Sequence, residues 1–143
     1  MHELYMIVKE IMKRNIVKIV PDKSVYDAAF LLREHKIGSV LVATDNDVLG
    51  IVTKRDIIGG SILAHKNPET TPVSEIMTTN IKTIHPLENI VKAAEIMEEN
   101  KIKKLVVVNE DLIAGIITVT DISRATKEIT KRVMDTCFQE ETH

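Results

Sequence analysis

The chain has 143 residues, of which 44% are hydrophobic and 28% are charged, and its formal net charge is -2. This composition is typical of a folded globular protein and excludes the low hydrophobicity and high net charge of a disordered chain. The balanced charge also provides no overall basic field, so neither nucleic acid nor an anionic membrane is an expected partner.

The cysteine content and the hydropathy of the chain indicate the cellular compartment in which we expect the protein. Cys137 is the single cysteine, which excludes an internal disulfide and a closed zinc site and fits a reducing cytoplasm. No apolar run approaches the roughly 18 residues of a transmembrane helix, and the first residues lack the pattern of a signal peptide. We therefore expect a cytoplasmic protein with no metal site and no membrane partner.

The predicted elements of the first half begin with a short helix that carries the residues E-I-M, 10–12. An extended stretch, 16–20, then ends at Pro21, because proline drives the preceding residue out of helical space. An amphipathic helix begins at Ser24, with Asp27 as its capping partner. Two β-branched runs, SVLVA and LGIVT, flank an acidic turn and predict a hairpin of buried strands, after which a second helix starts.

The second half of the chain repeats this plan. Residues 8–58 align with residues 73–123 without a gap, and about 19 of about 51 aligned residues are identical, which indicates an internal duplication. At the end of the hairpin, GIVTKRD in the first repeat corresponds to GIITVTD in the second. The sequence therefore predicts an α/β (α+β) protein made of two β-α-β-β-α repeats.

The region between the repeats is rich in glycine and proline and is predicted to be a linker, 63–72. We place the first repeat, with its N-terminal helix, at 1–62 and the second repeat at 73–126. Apolar residues keep a helical spacing beyond the second repeat. Residues 127–143 are therefore predicted to form a C-terminal helix and tail that packs on the module or on a partner.

Each hairpin ends in the motif T-x-x-D, formed by Thr53 and Asp56 and by Thr118 and Asp121. A threonine before a helix and an acid three residues later are the parts of a capping box. The same helix N-terminus could attract a phosphate, while the carboxylate accepts hydrogen bonds from the hydroxyls of a ribose. The spacing alone leaves both interpretations open.

The combined motifs of both repeats, over residues 8–124, resemble the CBS domain, the module named after cystathionine beta-synthase. These motifs are the E-I-M lead-in, the strand ended by proline, the Ala-Ala helix and the G-h-h-T-x-x-D terminus. The resemblance implies two repeats packed about a pseudo-twofold axis, with two clefts that bind adenosine-containing ligands such as AMP, ADP, ATP or S-adenosylmethionine. It also implies a regulatory, energy-sensing role toward an unknown protein partner, with no enzymatic activity and no catalytic cofactor, although a nucleotide could bring Mg²⁺.

The resemblance further implies which residues hold the ligand. Asp56 and Asp121 would hold ribose hydroxyls, with Thr53 and Thr118 beside the link between sugar and phosphate. Opposite each motif would lie the segment that enters the middle strand of the other repeat. These segments are Ile102, Lys103 and Lys104 for the first cleft and Ile37, Gly38 and Ser39 for the second, with Ile81 or Ile16 beside the adenine.

The two clefts are expected to differ in charge. The first combines Lys103 and Lys104 with Lys54 and Arg55 inside its own motif, whereas the corresponding positions of the second are neutral. Because charge-assisted hydrogen bonds to phosphate are strong, the first cleft should favour a phosphorylated ligand. The second would suit a nucleoside or S-adenosylmethionine, or stay empty.

The alternative function is a structural module for dimerisation or assembly, in which the clefts are vestigial. Under either function we predict a homodimer, because the amphipathic helices carry more apolar surface than a small core can cover. An enzyme is disfavoured, since the histidines and the cysteine form no pair of nucleophile and base. The apolar stripes are Val25, Ala28, Ala29 and Leu32 in the first repeat and Ile90, Ala93, Ala94 and Met97 in the second.

Overall fold

A computed structural model describes residues 6–45 and 47–141 of the chain. The described residues form two compact units. The central unit is Asn15–Ile81, and the terminal unit combines the residues up to Arg14 with those from Lys82 onward. The helices and strands in chain order are α1 (Val8–Ile11), β1 (Lys18–Ile19), α2 (Val25–Glu34), β2 (Ser39–Thr44), β3 (Asp47–Thr53), α3 (Lys54–Ile57), β4 (Thr83–Ile84), α4 (Ile90–Asn100), β5 (Lys104–Asn109), β6 (Leu112–Thr118) and α5 (Val119–Glu141).

Each unit contains a three-stranded sheet of the same topology, in the order β1-β2-β3 or β4-β5-β6. The first strand of each sheet runs parallel to the second, and the second runs antiparallel to the third. One helix, α2 or α4, makes the parallel crossover, as a parallel pair requires. The predicted mixed α/β class and the hairpin in each repeat are thereby confirmed.

The helix α2 follows from its sequence. Ser24 and Asp27 form a capping box in which each side chain accepts a hydrogen bond from the other residue's backbone N–H, so the helix starts where the sequence predicts. Its apolar stripe packs on β2, where Val40 and Val42 are fully buried. α4 packs on β5 in the same way, so both amphipathic helices are confirmed as predicted.

The apolar stripes lie mainly in the cores of the two units. Val25, Ala28 and Leu32 are buried in the core of the central unit, and their counterparts Ile90, Ala93 and Met97 are buried in the core of the terminal unit. Ala29 is only partly buried and Ala94 is exposed. The stripes therefore serve each unit's own core, while α2 also exposes Tyr26 and Phe30 and α4 exposes Val91, and the homodimer stays a prediction.

Each unit is completed by the lead-in segment of the other repeat. Val8 and Met12, from the start of the chain, are buried among the residues of the terminal unit. In the central unit the corresponding lead-in is a 3-10 turn, Val73–Glu75, whose Val73 is fully buried. The spatial units therefore do not follow the order of the repeats along the chain.

The C-terminal helix is longer than the sequence suggested. α5 begins directly after β6 and continues without a break for 23 residues, across the position between 126 and 127 where we placed the end of the second repeat. In the central unit the equivalent helix is only the four-residue α3, which passes into a π-helical turn, Ile58–Ile62. Among the described helices none is long and apolar enough to span a bilayer.

Candidate functional site

The T-x-x-D motif of the central unit forms a closed capping box at the start of α3. The backbone N–H of Thr53 donates to Oδ2 of Asp56 at 2.9 Å, and the backbone N–H of Asp56 donates to the hydroxyl of Thr53 at 3.3 Å. The Thr53 hydroxyl also donates to Oδ2 of Asp56 at 3.0 Å. The capping interpretation of the motif is therefore confirmed in this unit.

The motif of the terminal unit has the same geometry at the start of α5. The N–H and the hydroxyl of Thr118 both donate to Oδ2 of Asp121 at 2.9 Å, and the N–H of Asp121 donates to the hydroxyl of Thr118 at 3.1 Å. In both units the capping box uses one carboxylate oxygen, Oδ2. The other oxygen, Oδ1, is left to different partners, and these partners distinguish the two sites.

The lead-in segments bring those partners into place. Lys13 and Ile116 exchange backbone hydrogen bonds of 2.8 and 2.9 Å, and Thr78 and Ile51 exchange bonds of 2.9 and 3.0 Å. These bridges fix residues 13 and 78 beside the strand that leads into each T-x-x-D motif. The side chain at each position is therefore held close to the aspartate of the same unit.

The glycine of each motif allows this close crossing. A Cβ atom at Gly50 would lie 2.6 Å from the sulfur of Met77, and one at Gly115 would lie 2.5 Å from the backbone oxygen of Lys13. A larger residue at Gly115 would push the lead-in segment away from the strand, whereas one at Gly50 would first displace the side chain of Met77. The first residue of G-h-h-T-x-x-D thus has a packing reason that the sequence alone did not reveal.

Asp56 receives a neutral partner on its free oxygen. The hydroxyl of Thr78 donates to Oδ1 of Asp56 at 3.0 Å. Both residues of this pair are accessible to solvent, since Asp56 is half-buried and Thr78 is exposed. A hydroxyl of a ligand can replace the hydroxyl of Thr78 at little electrostatic cost, because both are neutral donors.

Asp121 receives two cations instead. The Nζ of Lys13 and the Nη1 of Arg124 each lie 3.7 Å from Oδ1 of Asp121. Asp121 is only 4% exposed, whereas the side chains of Lys13 and Arg124 are 60% and 62% exposed. The terminal site therefore presents two solvent-facing positive charges around a buried carboxylate.

The two sites differ because the repeats diverged at these positions. Lys13 aligns with Thr78, and Arg124 aligns with Gly59. Neither cation was included in the site expected from the sequence. The repeat alignment shows the difference in charge, since it pairs a lysine with a threonine three residues before Ile16 and Ile81. Only the backbone bridges of the structure show that this position lies beside the aspartate.

The remaining predicted residues lie near the motif of their own unit. Ser39 pairs with Thr53 across β2 and β3, after Ile37 and Gly38. Lys104 pairs with Thr118 across β5 and β6, and the carbonyl of Lys103 accepts from the N–H of Val119 at 3.0 Å.

The expected pairing of residues 102–104 with Thr53 and Asp56, and of residues 37–39 with Thr118 and Asp121, joins the two halves and stays a prediction. Arg55 is exposed on α3, and Ile81, like Asp56, belongs to the central unit, as does Ile16. The contacts of Ile81 and Ile16 with an adenine also stay predictions. Within the residues described, no group of three or more His, Cys, Asp or Glu side chains could hold a metal ion.

The duplicated fold and the paired motifs define a tandem arrangement of one small regulatory domain. The family model of the CBS domain matches residues 8–61 and 73–128, so this chain belongs to the CBS domain family and carries two copies of the domain. Tandem CBS modules are in general regulatory and bind ligands.

Individual relatives cover most of the chain. This chain is 27% identical over 116 residues to the CBS domain-containing protein YhcV of Bacillus subtilis. The aligned residues cover 81% of this chain and 82% of that protein. The crystal structure of an uncharacterized conserved protein from Pyrococcus horikoshii superposes with a TM-score of 0.75 and 31% identity, covering 86% of this chain and 93% of that one. The hexameric CBS-CP12 protein from bloom-forming cyanobacteria gives a TM-score of 0.76 and 29% identity, covering 83% and 67%.

Proposed function

We propose that this chain is a regulatory module that binds an adenosine-containing ligand at its two T-x-x-D sites and passes the bound state to a protein partner. The proposal rests on the different partners of the two carboxylate oxygens of each aspartate. Oδ2 of Asp56 and of Asp121 closes the capping box, while Oδ1 faces side-chain donors that a ligand can replace. A ribose offers two neighbouring hydroxyls, which are suitable donors for such an oxygen.

The same contacts suggest how binding reaches the rest of the chain. The hydroxyl of Thr78 donates to Oδ1 of Asp56, the Nζ of Lys13 lies beside Oδ1 of Asp121, and both residues belong to lead-in segments. Shortly after each of these residues the chain passes from one unit to the other, after Arg14 and after Ile81. A ligand that takes Oδ1 releases the lead-in side chain, so binding would act on the two connections between the units.

The charges beside Asp121 make a phosphorylated ligand the better occupant of the terminal site. Lys13 and Arg124 can turn from the carboxylate to a phosphate, for which a charge-assisted hydrogen bond contributes about 1.5 to 3 kcal/mol. The sequence alone favoured the Thr53–Asp56 site for such a ligand, because of four basic residues, Lys54, Arg55, Lys103 and Lys104. That assignment stays a prediction and competes with this one.

The function is tested by thermal unfolding of the purified chain with AMP, ADP, ATP, S-adenosylmethionine and adenosine, with and without Mg²⁺. A ligand at one hundred times its Kd adds about 2.7 kcal/mol, or roughly 5 to 10 °C for a chain of this size. The shift should disappear in a double variant, Asp56→Asn with Asp121→Asn. Guanosine and cytidine nucleotides are the matched controls. The absence of a shift with every adenosine compound at millimolar concentration would count against the proposal.

The two assignments of the phosphate site are separated by exchanging one residue between the repeats. Lys13→Thr gives the terminal site the residue of the central site, and Thr78→Lys does the reverse. If the terminal site holds the phosphate, Lys13→Thr lowers the affinity for AMP, and Thr78→Lys raises the affinity of the Asp56 site. If Lys103 and Lys104 serve the Asp56 site, Lys13→Thr leaves AMP affinity unchanged.

The assembly module remains the second candidate function, and one observation favours it. Both T-x-x-D motifs close on themselves as complete capping boxes, which gives them a structural purpose without any ligand. Under that function, Thr53→Ala and Thr118→Ala each lower stability by about 1 kcal/mol as lost caps and leave the oligomeric state and partner binding intact. Loss of a ligand response in the same variants identifies the sensing function instead.

A further inference from the structure

The strand β1 forms an edge of the sheet in the central unit, because the sheet order is β1-β2-β3. The carbonyl of Val17 accepts a hydrogen bond from the N–H of Leu41 at 2.9 Å, and Leu41 lies opposite Lys18 in the parallel register. In this register the N–H and C=O of Ile19 face β2, whereas those of Lys18 face away from the sheet. Lys18 therefore offers a backbone donor and a backbone acceptor to an added strand.

A groove of about 400 Å³ lies between β1 and α2, beside this edge. Its apolar lining includes Val20, which is 44% exposed, and Phe30, which is 55% exposed. Ile19 and Leu31 complete the apolar lining. Proteins that add an extended peptide to a sheet use a strand edge of this kind. The backbone of the peptide pairs with the edge, and neighbouring pockets receive its side chains.

The charged residues of the groove favour an acidic peptide. They are Lys18, Lys23 and Asp27, and both lysines are exposed. Asp27 belongs to the capping box of α2, where its Oδ2 accepts a hydrogen bond from the backbone N–H of the N-cap, so the helix N-terminus offsets its charge. Two further acids, Asp22 and Glu34, lie outside the lining. A carboxylate of a partner is therefore complementary to the two lysines.

The repeat alignment provides an internal comparison, because the counterpart positions of the terminal unit have different side chains. The aligned pairs are Lys18 and Thr83, Val20 and His85, Lys23 and Glu88, Asp27 and Lys92, and Phe30 and Glu95. A glutamate thus replaces the aromatic ring, and a second glutamate replaces a lysine. The two repeats share one fold but differ at this edge in hydropathy and in charge, so the central unit suits an acidic and apolar peptide better than its counterpart does.

We propose that the central unit binds an extended segment of a protein partner by strand addition to β1. The segment pairs its backbone with Lys18, packs one large apolar side chain against Phe30, and carries carboxylates toward the two lysines of the groove. A second copy is a poorer occupant, because pairing of two β1 strands about a twofold axis would bring two copies of Lys18 together.

The inference deepens the proposed function and rests on it for the role of the partner, since it names the surface that holds the partner. Its tests use no adenosine ligand, so their outcome is separate from that of the ligand titrations.

The probe is a phage-displayed library of random peptides of about ten residues, selected on the immobilised full chain. The enriched peptides are expected to share one large apolar residue flanked by Asp or Glu. The affinity of a synthetic selected peptide, measured by fluorescence polarisation, should fall about tenfold or more in Phe30→Glu, which gives the groove the residue of its counterpart. Lys23→Glu should also weaken binding, and more strongly at low salt than at high salt.

Tyr26→Val is the matched control for these variants. Tyr26 is 54% exposed on α2 but does not line the groove, and the terminal unit has Val91 at this position. The peptide affinity of Tyr26→Val should equal that of the wild type.

Amide hydrogen exchange tests the strand addition itself. The amide of Lys18 faces away from the sheet, so it should exchange more slowly when the peptide is bound. The amide of Thr83 has the same position in the sheet of the terminal unit, and its exchange should not change.

Three results would overturn the proposal. Failure to enrich any peptide, or peptides whose binding survives Phe30→Glu, would show that the groove does not hold such a segment. An unchanged exchange rate of the Lys18 amide in the saturated complex would exclude strand addition. A wild-type dimer that the peptide dissociates and that Phe30→Glu abolishes, measured by sedimentation velocity, would assign the groove to a second copy.

Discussion

Gly115→Ala is expected to destabilise the terminal unit and to disturb the site around Asp121. A Cβ atom at Gly115 would lie 2.5 Å from the backbone oxygen of Lys13 and 3.0 Å from the sulfur of Met12. The oxygen belongs to the backbone bridge between Lys13 and Ile116 and cannot rotate away as a side chain can. The lead-in segment must therefore move, which carries Lys13 away from Asp121.

The magnitude follows from what the movement disrupts. Forcing an extra methyl group into a packed position costs about 1 to 3 kcal/mol. The two backbone hydrogen bonds of the bridge, at 2.8 and 2.9 Å, contribute about 1 kcal/mol each when well formed, and the shift weakens both. We therefore expect a loss of about 2 to 4 kcal/mol, or about 10 °C in the melting temperature.

The assay is urea unfolding of Gly115→Ala beside two other glycine variants. Gly50→Ala meets the sulfur of Met77 at 2.6 Å, but this flexible side chain can move, so its loss should be less than half as large. Gly59→Ala meets nothing within 4 Å and should be neutral or slightly stabilising. Wild-type stability of Gly115→Ala, or a larger loss in Gly50→Ala, would refute the placement of the lead-in segment.

Three further predictions concern the two sites. Thr118→Ala should lower the free energy of unfolding by about 1 kcal/mol, whereas Thr118→Ser should keep the cap and the wild-type stability. Equal stability of the wild type and both variants in urea would contradict the capping geometry. Lys13→Thr should weaken AMP binding about tenfold in calorimetry and leave adenosine binding unchanged. An equal loss for adenosine would show that Lys13 does not meet the phosphate. Thr78→Lys should raise the AMP affinity of the Asp56 site, and no change there would mean that this position does not reach the ligand.

Local sequence signals predicted the elements well because each has a short-range cause. Ser24 and Asp27 start α2 through a capping box, and the spacing of apolar residues in α2 and α4 places one face in each core. The repeat alignment then transferred the plan from one half to the other. The T-x-x-D motif was predicted for the same reason, since its capping contacts span only three residues.

Contacts between distant segments could not be predicted in this way. Lys13 reaches Asp121 across more than one hundred residues because the lead-in of the first repeat packs in the terminal unit, and no local pattern records that exchange. The apolar stripes were assigned to a dimer because the sequence does not show how much of a helix its own sheet covers. The helical spacing of the last stretch predicted a C-terminal helix, and in the structure this helix is continuous with the one that starts after β6.

The central claim is tested most directly by calorimetric titration of AMP and of adenosine into the wild type, Asp56→Asn, Asp121→Asn and the double variant. Asparagine keeps one oxygen for the capping box, so folding is retained while the negative charge that accepts ribose hydroxyls is lost. The account predicts that the wild type binds saturably and that each single variant loses one site. The site lost in Asp121→Asn should be the one that binds AMP more tightly. The double variant should bind neither ligand. Unchanged binding of both ligands to the folded double variant would contradict it.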